Sequence, residues 1–190
     1  MTMNVYPTSL EGVLLIEPLV FVDNRGFFLE TYNQKKYEES GIKKTFVQDN
    51  HSHSVRGALR GLHYQLRHPQ GKLVQVVSGA IFDVAVDIRK GSPTFGKWLG
   101  IHLSGDEHHQ IYIPEGFAHG FCILSEQADV IYKCTDLYTP GDEYGIRWDD
   151  PQLAIGWPVR NPVLSPKDAD YPFLSQQVKE CLPQWNQNVR

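Results

Sequence analysis

Turn residues cut this chain into short runs, and that punctuation limits the fold more than any other feature. Alternating or apolar segments predict strands over residues 13–17, 26–31, 73–77, 80–87, 98–103, 109–113, 121–124 and 130–135. Ser78-Gly79 reads as a tight turn between two of them. Lys90-Gly91-Ser92-Pro93, Ser104-Gly105-Asp106 and Thr139-Pro140-Gly141-Asp142 separate others. Many short strands closed in this way predict an all-β sandwich or barrel. A helical pattern is confined to residues 34–40, ended by Gly41, and to a weaker signal near the C-terminus. No repeat or linker divides the 190 residues, so a single domain over 1–190 is expected, with 165–190 as a tail packed on it.

Charge and cysteine usage narrow the class. A net charge of -4 gives no overall reason to bind nucleic acid, so any anion site has to be a local cluster. Cys122, Cys134 and Cys181 lack CxxC spacing and read as reduced thiols, which points to a cytoplasmic protein. No apolar stretch reaches membrane-spanning length, and the N-terminus lacks a basic segment followed by an apolar one. No membrane association is expected.

Several ionisable residues stand beside strand-like apolar neighbours. In Leu59-Arg60-Gly61-Leu62-His63-Tyr64-Gln65, alternation predicts that His63 shares a face with Gly61 and Gln65, opposite Leu62 and Tyr64. His63 is a candidate general base, although spacing alone favours a hydrogen-bonded core histidine. His119 closes Pro114-Glu115-Gly116-Phe117-Ala118-His119 and is placed to bind a substrate or a metal. Metal is the weaker reading, because Gln65, Gln70 and Lys72 stand where further ligands would be needed. His51-Ser52-His53 lies in a stretch read as a solvated polar turn. Tyr132 and Tyr138 bracket Lys133 to Leu137; a phenol there serves either as a general acid or as strand packing. Ser165-Pro166-Lys167-Asp168 has the spacing of a helix N-cap, which would also fix the Asp168 carboxylate. Arg25, Arg60, Lys72 and Lys167 are the anion-binding candidates.

Taken in order along nearly the whole chain, these segments resemble the dTDP-4-dehydrorhamnose 3,5-epimerase family. Asp23-Asn24-Arg25-Gly26-Phe27-Phe28, Gln48-Asp49-Asn50, Gln70-Gly71-Lys72, Pro114-Glu115-Gly116-Phe117-Ala118-His119-Gly120 and Lys167-Asp168 carry the resemblance beside the His63 segment. It implies a cupin-like β jelly roll with short peripheral helices. It also implies cofactor-independent epimerisation of a dTDP-linked 4-keto-6-deoxy sugar at C3 and C5, without a metal. By the same resemblance His63 is the base, Asp168 its orienting carboxylate, Tyr132 the acid, and Lys72 a cation near the enolate oxygen. Substrate would be bound by Arg25, Phe27, Glu30, Gln48, Asp49, Asn50, Arg60, His119, Tyr138, Glu143 and Lys167. A homodimer with strand exchange is implied, in which Arg25 and Phe27 serve the partner's site. Three alternatives share some of these residues: an epimerase acting at one carbon only, a metal-dependent cupin oxygenase, and a non-catalytic sugar-binding jelly roll.

Overall fold

The computed structural model describes residues 3–185. In chain order the strands are β1 (Asn4–Pro7), β2 (Leu14–Glu17), β3 (Val20–Asp23), β4 (Gly26–Leu29), β5 (Gln48–Val55), β6 (Leu59–Gln65) and β7 (Lys72–Ser78). There follow β8 (Ala80–Asp87), β9 (Trp98–Ser104), β10 (Gln110–Ile113), β11 (Phe117–Ile123), β12 (Gln127–Cys134) and β13 (Glu143–Gly145). Two short helices, α1 (Gln34–Glu39) and α2 (Pro166–Asp170), lie outside the sheets.

One sheet runs β1-β2-β10-β7-β12-β5 and the other β13-β6-β11-β8-β9, while β3 and β4 form a separate hairpin. All these pairings are antiparallel. The inner faces meet through Val74, Val76, Ile111 and Val130 of the first sheet and Ile81, Ala85, Phe121 and Ile123 of the second. Fully burying one such large side chain contributes about 1.5–3 kcal/mol. Behind the second sheet, Leu62, Tyr64, Val84 and Val86 pack against Ile146, Leu153, Leu174 and Leu182 from the C-terminal segment. Behind the first, Tyr37 of α1 and Ile42 cover Ile16, Leu73 and Tyr112. No helix among the described residues is long and apolar enough to cross a membrane.

Most expected strands are present with shifted ends, and β11 and β12 begin earlier than alternation suggested. α1 starts at the Asn33 cap, whose side chain accepts from Lys36 N, and the chain turns away at Gly41, where φ is +100°. The polar turn expected around His51-Ser52-His53 is instead the edge strand β5. Its inward residues, Gln48, Asn50, Ser52 and Ser54, are all polar, so the apolar period that marks a strand is missing. His51 and His53 project outward, and both reach Oδ1 of Asp129, at 2.8 and 3.1 Å.

A second correction concerns β6. His63 pairs with His119 and Arg60 with Phe121, so Gly61 and Leu62 together oppose Gly120 alone. This is a β-bulge, and it shifts the phase of the strand by one residue. Arg60, His63 and Gln65 consequently line one cavity, while Leu59, Leu62 and Tyr64 enter the outer core. Glycine is required at the bulge: φ at Gly61 is +129°, and a Cβ there would lie 2.4 Å from Gly120 Cα.

Candidate active site

At one end of the sandwich the apolar filling gives way to a cavity of about 330 Å³. The residues lining it continue the inward rows of the core. On β7, Lys72 precedes Val74 and Val76; on β12, Tyr132 follows Ala128 and Val130. These two, with Gln48, Asn50 and Ser52 of β5, form the wall from the first sheet. Arg60, His63, Gln65, His119 and Phe121 form the wall from the second, and Tyr138, Glu143, Lys167 and Asp168 also line the space.

His63 is held on three sides. Its Nε2 lies 2.5 Å from Oδ1 of Asp168, a carboxylate that is buried at the start of α2. That carboxylate is fixed by the predicted cap: Ser165 Oγ accepts from Asp168 N at 3.1 Å, with Pro166 opening the helix. The Tyr171 ring meets the imidazole edge-on, with centroids 5.6 Å apart. Nδ1 of His63 lies 3.9 Å from Oε1 of Glu143. Glu143 in turn is held by Lys167 and accepts from the Tyr138 hydroxyl at 3.2 Å. Since Asp168 occupies Nε2, Nδ1 is the nitrogen left to exchange a proton with a ligand.

The remaining electrostatics follow from burial. Burial pushes the Lys72 ammonium below the ordinary lysine value, opposed by Cys134, Asp83 and Glu143. It raises the Tyr132 phenol, with Cys134 adding in the same sense and Arg60 opposing. His119 is nine-tenths or more buried, and desolvation lowers its imidazole, opposed by Asp83, whose Oδ2 lies 2.8 Å from Nε2. Arg60 bridges the two sheets, donating from Nε to Ser54 Oγ at 3.0 Å. Together these groups offer a carboxylate-held imidazole, a protonated phenol and several cations around one space. That set suits proton removal from a carbon acid with charge stabilisation nearby.

Of the residues singled out from the sequence, His63, Tyr132, Asp168, Lys72, Gln48, Asn50, Arg60, His119, Tyr138, Glu143 and Lys167 all line this cavity. Four do not. Asp49 falls on the opposite face of β5 from Gln48 and Asn50 and pairs with Lys133 at 2.9 Å. Arg25 pairs with Asp23, Phe27 packs on His108 with centroids 4.4 Å apart, and Glu30 pairs with Lys36 at 2.7 Å. These last three sit on or beside the β3–β4 hairpin, outside the cavity of their own chain. The sequence reading missed Asp83, which meets His119, and Tyr171, which packs on His63; a carboxylate in the middle of the apolar run 80–86 was the available signal for Asp83.

Residues 7–176 match a family model described as dTDP-4-dehydrorhamnose 3,5-epimerase. A dTDP-4-dehydrorhamnose 3,5-epimerase of Shigella flexneri is 58% identical over 168 residues, covering 87% of this chain and 93% of that protein. One from Neisseria gonorrhoeae is 53% identical over 181 residues; the match takes in 95% of this chain but 55% of that relative, so the chain spans little more than half its length. The solved dTDP-6-deoxy-D-glucose-3,5-epimerase from Legionella pneumophila, in complex with dTDP-4-keto-L-rhamnose, superposes with a TM-score of 0.94 at 54% identity. That superposition covers 97% of this chain and 99% of the Legionella chain. The two-sheet sandwich is accordingly a cupin-like jelly roll, as the resemblance implied.

Proposed function

This chain belongs to the dTDP-4-dehydrorhamnose 3,5-epimerase family and is an isomerase, and from that premise we propose that it converts dTDP-4-dehydro-6-deoxy-D-glucose to dTDP-4-dehydro-L-rhamnose. The reaction inverts C3 and C5 without a cofactor, as a step of dTDP-L-rhamnose biosynthesis. Both carbons flank the C4 ketone, so loss of either proton leaves an enolate rather than an isolated carbanion. His63 takes the proton at Nδ1, Asp168 stabilises the imidazolium through Nε2, and Tyr132 returns a proton from the opposite face of the ring. The observation that carries this reading is that His63 and Tyr132 reach one cavity from different sheets, with His63 already bonded to Asp168.

Lys72 lies in the same cavity and supplies positive charge to the developing O4 enolate. Arg60 and Lys167 meet the diphosphate, for which arginine's planar fork is suited. His119, Gln48, Asn50, Tyr138 and Glu143 complete the binding of the nucleotide sugar. The β3–β4 hairpin leaves Phe21, Val22, Phe27 and Phe28 exposed, an apolar surface that suits a second copy of the chain. In the resulting strand-exchanged homodimer, Arg25, Phe27 and Glu30 serve the partner's cavity, and the enzyme works in the cytoplasm.

The deciding experiment is incubation with the 4-keto sugar nucleotide in deuterated water, followed by proton NMR. Deuterium is expected at both C3 and C5 with the parent protein and at neither with His63→Asn. Exchange at a single carbon makes the chain a mono-epimerase, and no exchange at all overturns the reading.

A further inference from the structure

Asp83 occupies an unusual position. It lies in the inward row of β8 between Ile81 and Ala85, both of which belong to the apolar core, and it is completely buried. Oδ2 meets His119 Nε2 at 2.8 Å, while Oδ1 has no hydrogen-bond partner among the described residues. Among those residues its ion-pair partner is His119. A half-satisfied carboxylate in an apolar row is costly, and a hydrophobic residue of similar size would fill the place at no such cost. What distinguishes this place is its neighbour: His119 lines the cavity, and Asp83 also acts electrostatically on Lys72.

A carboxylate on one ring nitrogen of a histidine fixes both the tautomer and the ring plane. With Nε2 taken by Asp83, Nδ1 of His119 is the nitrogen available to a ligand. We propose that Asp83 is a positioning residue of the epimerase site, locking the His119 ring with Nδ1 toward the bound nucleotide sugar and placing negative charge behind the Lys72 and His119 wall of the cavity. This rests on the function proposed above. Two carboxylate–histidine pairs then serve the cavity in different capacities. Asp168 supports the proton-abstracting His63, and Asp83 supports the wall that receives the negative charge. The titratable groups acting on this pair are Lys72 from β7, His63 from β6 and Cys122 from β11, while Arg60, Tyr132, Glu143 and Asp168 line the same cavity.

Asp83→Asn tests the proposal, because the amide keeps the size and can still accept from Nε2–H. A fall in kcat of about 10–100-fold is expected, the range for losing a supporting partner of this kind, with KM close to the parent's. The alkaline limb of kcat should move to lower pH, because Lys72 and His119 lose a nearby negative charge. Unchanged kcat with an unchanged pH profile overturns the proposal. A second measurement needs no turnover: nitrogen-resolved NMR of the His119 ring should show the Nε2-protonated tautomer in the parent and protonation at lower pH in Asp83→Asn. Mixed tautomers in the parent, or identical His119 titration in both proteins, also overturns it. If the parent fails to epimerise the sugar nucleotide, the functional reading falls separately, and the His119 titration still decides the role of Asp83.

Discussion

Nε2 of His63 and Oδ1 of Asp168 are 105 residues apart in the chain and 2.5 Å apart in space. The contact joins β6 to α2, so the position of the imidazole depends on the capped turn that begins at Ser165. Asp168→Asn should lower kcat by about 10–100-fold, as expected for the partner that orients a functional histidine. The helix itself should survive, since the Ser165 cap engages the backbone of Asp168 rather than its side chain. Steady-state kinetics beside thermal unfolding check both halves, and a large loss of stability would mean that the carboxylate is structural.

Tyr132 should stay protonated throughout the neutral range, because burial raises its phenol above the ordinary value. Removing only the hydroxyl, with Tyr132→Phe, should spare proton abstraction and block its return. Deuterium should still enter the substrate at a rate near the parent's, while inverted product falls by about 10²–10⁴-fold, the contribution of general acid–base help. Product formation at the parent's rate would remove Tyr132 from the reaction.

Lys72 links activity to stability in opposite senses. Burial lowers its affinity for a proton in the folded protein, so between the folded and unfolded values the unfolded chain holds more protons. Stability contributed at this site therefore rises as pH rises through the folded value, and below it the full cost of the buried charge remains. Lys72→Met should raise the midpoint of thermal unfolding while lowering kcat by about 10²–10³-fold, the usual cost of one oxyanion donor. A variant that loses stability as well would show that the ammonium has a structural partner.

Gly61→Ala should destabilise the protein by about 1–3 kcal/mol, the range for backbone strain and overpacking. The added methyl meets Gly120 Cα at 2.4 Å and the carbonyl of His119 at 2.9 Å, and both are backbone atoms that cannot rotate away. Denaturant unfolding gives the stability. Because the strain falls between Arg60 and His63, kcat should drop even in the fraction that remains folded.

Legibility from sequence depended on whether a residue's environment was local. β8 could be read directly, since its core and outer-layer positions alternate without interruption. The Ser165 cap was legible because the side chain and the amide it engages are three residues apart. β5 was not, because its inward residues face a cavity and carry no apolar period. The facing of Arg60 was not, because the bulge is defined by a strand about sixty positions later. Asp83 was passed over for the same reason: only the folded ladder brings it to His119. The family resemblance named the residues around His63, but alternation alone would have separated Arg60 from it.

The extra residue in β6 ties the cavity to the sequence of a single ladder. A segment carrying His63 could not be transplanted into another jelly roll by matching strand lengths, because without the offset between Gly61 and Gly120 either the arginine or the histidine would turn into the greasy layer behind the sheet. Enzyme designers borrowing this scaffold should treat the kinked pair of strands as one indivisible cassette.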